Sequence, residues 1–309
     1  MIRDALAGVC ATRLRQDLFY LSQDPLPFRK VNYTRPGQSL CSLDEADAYL
    51  CAQLEAAGGW RVSRTGYRVQ AFRCDSTKPL HHWYSKPAPE DPWYDACNVE
   101  AVKAGKTTPS EIIQLIAHKD SMSWIDSPGA HDNGAGTVAN LEIARVLATV
   151  ETQRTIRILF CNEEHAPWTS RFAADAAAAR GDRIVAVFNV DSLDGKSDAD
   201  MAAGRLSHVV GYSTDEGRPL AERVERCNRE YGIGLEVMLG FKQHINDDDG
   251  MFINAGFRTT VMNLGSWPYS DSEYHLVGDR PERVSIENLR RSTQLVLAAV
   301  LDVDAHGMG

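Results

Sequence analysis

Residues 111–120 read EIIQLIAHKD: a short, mostly apolar run that ends in a histidine, a lysine and an aspartate. An apolar run of this length without strict alternation fits a strand buried on both faces. The pattern recurs down the chain. TIRILFC (155–161) is followed by Asn162-Glu163-Glu164-His165, and RIVAVFNV (183–190) by Asp191. FRTTVMNL (257–264) is followed, after a loop, by Tyr274-His275. Helical segments lie between these runs. GAGTVANLEIARVLATV (134–150) carries Val138, Leu141 and Leu147 on one side, and TSRFAADAAAAR (169–180) stops at Gly181. RPLAERVERCNREYG (218–232) and SIENLRRSTQLVLAAVL (285–301) complete the set, with Ser285 as the expected cap of the last. Strands alternating with helices predict an α/β fold built on a doubly wound, mixed but mostly parallel sheet flanked by helices.

Upstream, LDEADAYLCAQLEAAGG (43–59) has helical spacing and a Gly58-Gly59 stop, and WRVSRTGYRVQAF (60–72) reads as strand. Residues 74–97, CDSTKPLHHWYSKPAPEDPWYDAC, are rich in proline and aromatic side chains and read as an irregular excursion. Long connections of this kind are often functional. Two readings stay open for it: a packed surface flap or a cover over a substrate. No internal repeat, linker or low-complexity tract divides the chain, so residues 1–309 are expected to form a single domain.

Composition limits the function classes. Hydrophobic residues make up 43% and charged residues 24%, enough for an ordinary buried core. The net charge is −9, and no Lys/Arg-rich run offers phosphates a basic surface, so nucleic acid is not an expected partner. Seven dispersed cysteines show no C-x-x-C spacing, which argues against a sulfur-ligated zinc site. No stretch approaches 18 apolar residues, and the N-terminal segment turns polar too soon for a secretory signal. A cytoplasmic protein with no membrane partner is the expectation. A homo-oligomer has no specific support.

The chemistry gathers where the strands end. In open α/β sheets ligands bind beyond the carboxyl ends of the strands. The four runs therefore deliver His118, Glu164, Asp191 and His275 to one crevice, and Asp132, just before a helix, adds a carboxylate to its rim. Each residue alone has a plainer explanation: His118 a strand-end histidine, Asp132 a helix N-cap, Glu163-Glu164 a solvated pair, Asp191 a turn residue. Their shared place at strand ends changes the balance. Two imidazoles and three carboxylates suit zinc, and a carboxylate can bridge two ions.

These segments resemble the co-catalytic dizinc aminopeptidase family, which also holds carboxypeptidases and glutaminyl cyclases of the same fold. The resemblance runs from Asn98 to the C-terminal helix. It rests on EIIQLIAHKDS for the family's H-x-D, and on SPGAHDNGAGTVANLEIARVL for its G-A-x-D-N-x-x-G segment. LFCNEEH stands for N-E-E, FNVDSLDG for N-x-D, and SEYHLVGD for Y-H-x-x-x-D. The resemblance implies two zinc ions per chain. His118 and Asp191 would bind one, Glu164 and His275 the other, and Asp132 would bridge them. It implies that Asp120 holds the far nitrogen of His118, that Glu163 is the general base acting on a zinc-bridging water, and that Tyr274 donates a hydrogen bond to the oxyanion. The implied activity is an aminopeptidase acting on peptides or small amides, with Glu163 and Asp191 as candidates for holding the α-amine.

The chain departs from the family pattern in three places. His165-Ala166-Pro167-Trp168 follows the glutamates where glycine and small apolar residues are usual, which would reshape the substrate pocket. His131 precedes Asp132 and either tunes the site or fills space. Asp247-Asp248-Asp249 stand where Ser-Asp-His is common. Other outcomes on the same scaffold are a carboxypeptidase, with Arg205, Arg218 or Arg258 holding a terminal carboxylate, a deacylase, or a single-zinc glutaminyl cyclase. The non-enzymatic alternative is a silent binding module, against which the full set of ligands and Glu163 stands.

Overall fold

The computed structural model describes residues 2–308. Eleven strands occur among them: β1 (Arg61–Ala71), β2 (Arg73–Cys74), β3 (Tyr84–Ser85), β4 (Tyr94–Lys103), β5 (Thr108–His118), β6 (Arg154–Cys161), β7 (His165–Ala166), β8 (Arg183–Val190), β9 (Ser207–Tyr212), β10 (Glu236–Phe241) and β11 (Thr260–Leu264). Nine of them form one sheet in the order β10-β9-β11-β8-β5-β6-β4-β1-β7. The four runs singled out in the sequence are its adjacent centre, β11-β8-β5-β6, and they are parallel to one another. Antiparallel pairs flank them on both sides: β6 with β4 and β4 with β1, and β11 with β9.

The helices are α1 (Ile2–Ala7), α2 (Ala11–Ser22), α3 (Ser42–Ala57), α4 (Gly136–Leu147), α5 (Thr169–Ala179), α6 (Asp198–Ala202), α7 (Gly217–Tyr231), α8 (Asp247–Asn254) and α9 (Ile286–His306). The continuous apolar runs follow from helices on both faces. Ile113 and Leu115 of β5 join Phe188 and Val190 of β8 in a core with Leu141 of α4, Val224 of α7 and Val296 of α9. The intervening residues Ile116 and Val187 face the other way, against Ala174 of α5 and Phe252 of α8. Successive strand side chains point to opposite faces, so a doubly covered strand must be apolar at nearly every position. Ser285 caps α9, its side chain accepting from the Asn288 amide.

Several boundaries differ from the sequence reading. The helix expected from residue 134 begins at Gly136, after a tight turn over residues 130–135. The excursion is shorter than 74–97, because β2 pairs with β3 and Tyr94 already belongs to β4. β9 and β10 escaped the sequence reading: each is six residues long, and β10 is an edge strand with no buried residue in its span. α8 lies where only a loop was expected. Among the described residues no helix is long and apolar enough to cross a membrane.

Candidate metal centre

The sheet's central strands end at one edge, and five side chains converge there. His118 is the last residue of β5, Glu164 lies three residues beyond β6, and Asp191 follows β8 directly. The turn before α4 supplies Asp132, and the loop after β11 supplies His275. Asp132 sits between the two imidazoles, with one oxygen toward each. Its Oδ1 lies 3.1 Å from His118 Nε2 and its Oδ2 3.1 Å from His275 Nε2. Asp191 lies 3.4 Å from His118 Nε2, and Glu164 3.4 Å from His275 Nε2. All five are buried.

Neighbouring groups hold each side chain in place. Asp120 lies 3.3 Å from His118 Nδ1 and accepts hydrogen bonds from the Glu163 and Glu164 amides at 3.0 and 2.8 Å. His165 Nδ1 lies 2.6 Å from the same carboxylate, and its Nε2 accepts from the Val31 amide at 3.3 Å, so the proton sits on Nδ1. Asp132 does not cap the helix. That task falls to Asn133, whose Oδ1 accepts from the Gly136 amide at 2.9 Å and the Ser192 amide at 3.2 Å. Gly136 is needed here because a Cβ would lie 2.2 Å from the Val190 carbonyl oxygen. Nδ1 of His275 donates to the His81 carbonyl at 2.8 Å, which leaves Nε2 free to bind a metal. His81 belongs to the excursion, which therefore packs across the centre within its own chain.

The charge balance calls for a cation. Burial pushes the Glu164 carboxyl up to about 7 against the pull of His275, and also raises Asp191. Burial, reinforced by Asp248 and Asp247, drives Glu163 well above the carboxylate range. Burial disfavours charge on His275 too, yet Glu164 and Asp132 outweigh it and raise the imidazole to about 10. Burial opposes charge on Asp132 as well, but hydrogen bonds from His118 and His275 hold it well below its usual value. Buried carboxylates that outnumber their cations are costly unless an ion neutralises them. Nitrogen and oxygen donors in this geometry fit a divalent metal. Glu163 Oε2 is buried without a hydrogen-bond partner beside them. Burial, with the nearby carboxylates, lifts the Tyr274 hydroxyl far above its ordinary value, so it keeps its proton as a donor. Its ring stacks on His275 at 3.8 Å and on Tyr269 at 4.6 Å.

His131 does more than fill space. Its Nδ1 lies 2.8 Å from Asp271 and 3.3 Å from Asp279, and its Nε2 3.6 Å from Asp194. Burial works against a charged ring, but these three carboxylates raise it well above the usual histidine range. Arg283 already pairs with Asp271, Lys196 with Asp194, and the His131 and Asp132 amides with Asp279. Charge is thus balanced here by protein groups. The cluster ties the Asp132 turn to the loop that carries His275.

The sequence reading missed Tyr269, Phe72 and Tyr84, which line the cavity around the centre together with Asp247, Trp168 and Asn246. No local pattern marks them, because they arrive from loops and from the excursion. Neither lysine nor arginine lines this cavity. Arg205, Arg218 and Arg258 are exposed and paired with Asp200, Glu222 and Glu216, which overturns them as holders of a terminal carboxylate.

Comparison with known proteins places the chain in a family and a fold. The profile of peptidase family M28 matches residues 98–300. Aminopeptidase YwaD of Bacillus subtilis is 30% identical over 198 residues, covering 62% of this chain and 41% of that protein. The chain spans 41–60% of the length of the first curated relatives it matches. Among solved structures, the LapA aminopeptidase of Legionella pneumophila superposes with a TM-score of 0.74 at 17% identity, over 99% of this chain and 75% of that one. BSAP, a zinc aminopeptidase from Bacillus subtilis, gives a TM-score of 0.68 at 16% identity, over 95% of each chain. At these identities the superpositions show a shared fold.

Proposed function

The chain belongs to peptidase family M28, and from that premise we propose that it is a zinc-dependent aminopeptidase releasing N-terminal residues from peptides. One observation carries the reading: the Asp132 carboxylate presents one oxygen to each of two imidazoles at 3.1 Å. Two ions would divide the donors, with His118 and Asp191 to hold one, His275 and Glu164 the other, and Asp132 available to both. When bound, zinc supplies Lewis acidity at the scissile carbonyl and makes a nearby water more acidic. Glu163 accepts the proton of the attacking water at its carboxylate and hands it to the departing nitrogen. The Tyr274 hydroxyl donates to the carbonyl oxygen as charge develops there. The substrate's free amine is drawn by Glu163, Asp191 and Asp247, all on the wall of a cavity without lysine or arginine. That supports amino-terminal over carboxy-terminal specificity. Seven unpaired thiols suit a reducing, cytoplasmic setting.

The test pairs metal content by elemental mass spectrometry with hydrolysis of free and N-acetylated peptides. Two zinc ions per chain and a strong preference for the free amine are expected. Protein that takes up no metal, or that cleaves both substrates equally, would sink the reading.

A further inference from the structure

Two features of the chain supply no metal ligand: the proline-rich excursion and the Pro167-Trp168 pair behind the glutamates. They meet around a second cavity of about 570 Å³, within the range of small-molecule sites. Phe72, Tyr84, Pro87, Pro167 and Trp168 line it. Phe72, Tyr84 and Trp168 also line the cavity that contains Glu163 and the five metal-centre residues, so the two spaces share walls. Their charges are opposite. The metal cavity is lined by carboxylates without a lysine or arginine, and the second cavity by Lys78 and Lys86 without a carboxylate. Lys78 is committed: its Nζ donates to the Tyr84 carbonyl and lies 5.8 Å from the centre of that ring. Lys86 is exposed and has no hydrogen-bond or ion-pair partner among the described residues.

We propose that this second cavity binds the leaving side of the substrate, taking an apolar or aromatic residue between Phe72, Pro167 and Trp168 and its free C-terminal carboxylate at Lys86. The proposal rests on the peptidase reading and deepens it. A di- or tripeptide carries a positive charge at one end and a negative charge at the other, and the joined cavities present the opposite charges in the same sense. The carboxylates around the metal centre repel the C-terminus, and Lys86 is the cation left to receive it. The preferred substrates are therefore di- and tripeptides with an apolar C-terminal residue and an unblocked carboxylate.

The experiment compares kcat/KM for Leu-Phe and Leu-Ala-Phe with their C-terminal amides, on the zinc-loaded protein. The free acids are expected to be favoured about three- to fivefold, as one solvent-exposed ion pair allows. The ratio should fall to near one in Lys86→Ala and below one in Lys86→Glu. Both substrates are read on one enzyme preparation, so the ratio does not depend on how much of a variant folds. A wild-type ratio of one, or an unchanged ratio in Lys86→Ala, overturns the proposal. Equilibrium dialysis of N-acetylphenylalanine against its amide, on metal-free protein, adds a reading independent of turnover. Tighter binding of the acid that Lys86→Ala abolishes supports the site, and equal binding overturns it. If leucine p-nitroanilide is not cleaved at all, the peptidase reading fails, and dialysis still judges the cavity.

Discussion

Glu163 and Glu164 are neighbours in the chain with separate tasks, side by side in the bend between β6 and β7. Glu164 faces His275, and Glu163 lines the cavity with one oxygen unpartnered. A Glu163→Gln substitution keeps the shape and removes the base. Turnover is expected to fall roughly 10²- to 10⁴-fold, with metal content unchanged by elemental analysis. Undiminished hydrolysis would remove Glu163 from the mechanism. The roles of Glu163 and Asp120 were readable in the sequence only through the family resemblance of the N-E-E and H-x-D segments. The role of His165 was not. Its imidazole finds Asp120 and the Val31 amide only through the folded chain.

Elements place these residues, and close packing where they meet sets their tolerance. α4 starts where its first turn passes the end of β8, and a Cβ on Gly136 would lie 2.2 Å from the Val190 oxygen and 2.3 Å from Asn133 Oδ1. Gly136→Ala is therefore expected to destabilise the protein by about 1–3 kcal/mol, read as a lower midpoint in urea unfolding. The same change at Gly66 in β1 meets nothing within 4 Å and needs no positive φ. It should be neutral or stabilise by up to about 1 kcal/mol. Equal losses at both positions would refute this account of the α4–β8 junction. The excursion belongs to the same scale. Its composition left both a flap and a substrate cover readable, while its contact with His275 spans 194 residues of sequence.

At the scale of the whole molecule, the metal centre concentrates buried negative charge that an ion would relieve. Zinc at about 100 times its dissociation constant should add about 2.7 kcal/mol per site, seen as a higher thermal midpoint that chelator reverses. A midpoint indifferent to both would argue against a native metal site. His208, on β9, gives a separate signature. Burial lowers its pKa from 6.5 to about 4, and its Nε2 hydrogen-bonds Asn263 at 3.1 Å. As pH falls, the unfolded chain takes up this proton first. The group's contribution is complete above pH 6.5 and lost on the way down to about 4, a change of about 3 kcal/mol. His208→Gln should flatten the stability profile across that window, and an unaltered profile would exclude His208 as its source. The sequence by itself determined the four central strands, the helices between them and the residues at their ends. Strands covered on both faces must be written as continuous apolar runs, and polar chemistry can begin only where they stop. Tertiary structure alone decided the His81 carbonyl on His275, the carboxylate cage around His131, Asp247 on the cavity wall and the lysine-lined space under the excursion. Those contacts join segments far apart in the chain, and no local periodicity records which distant loops a folded sheet brings together.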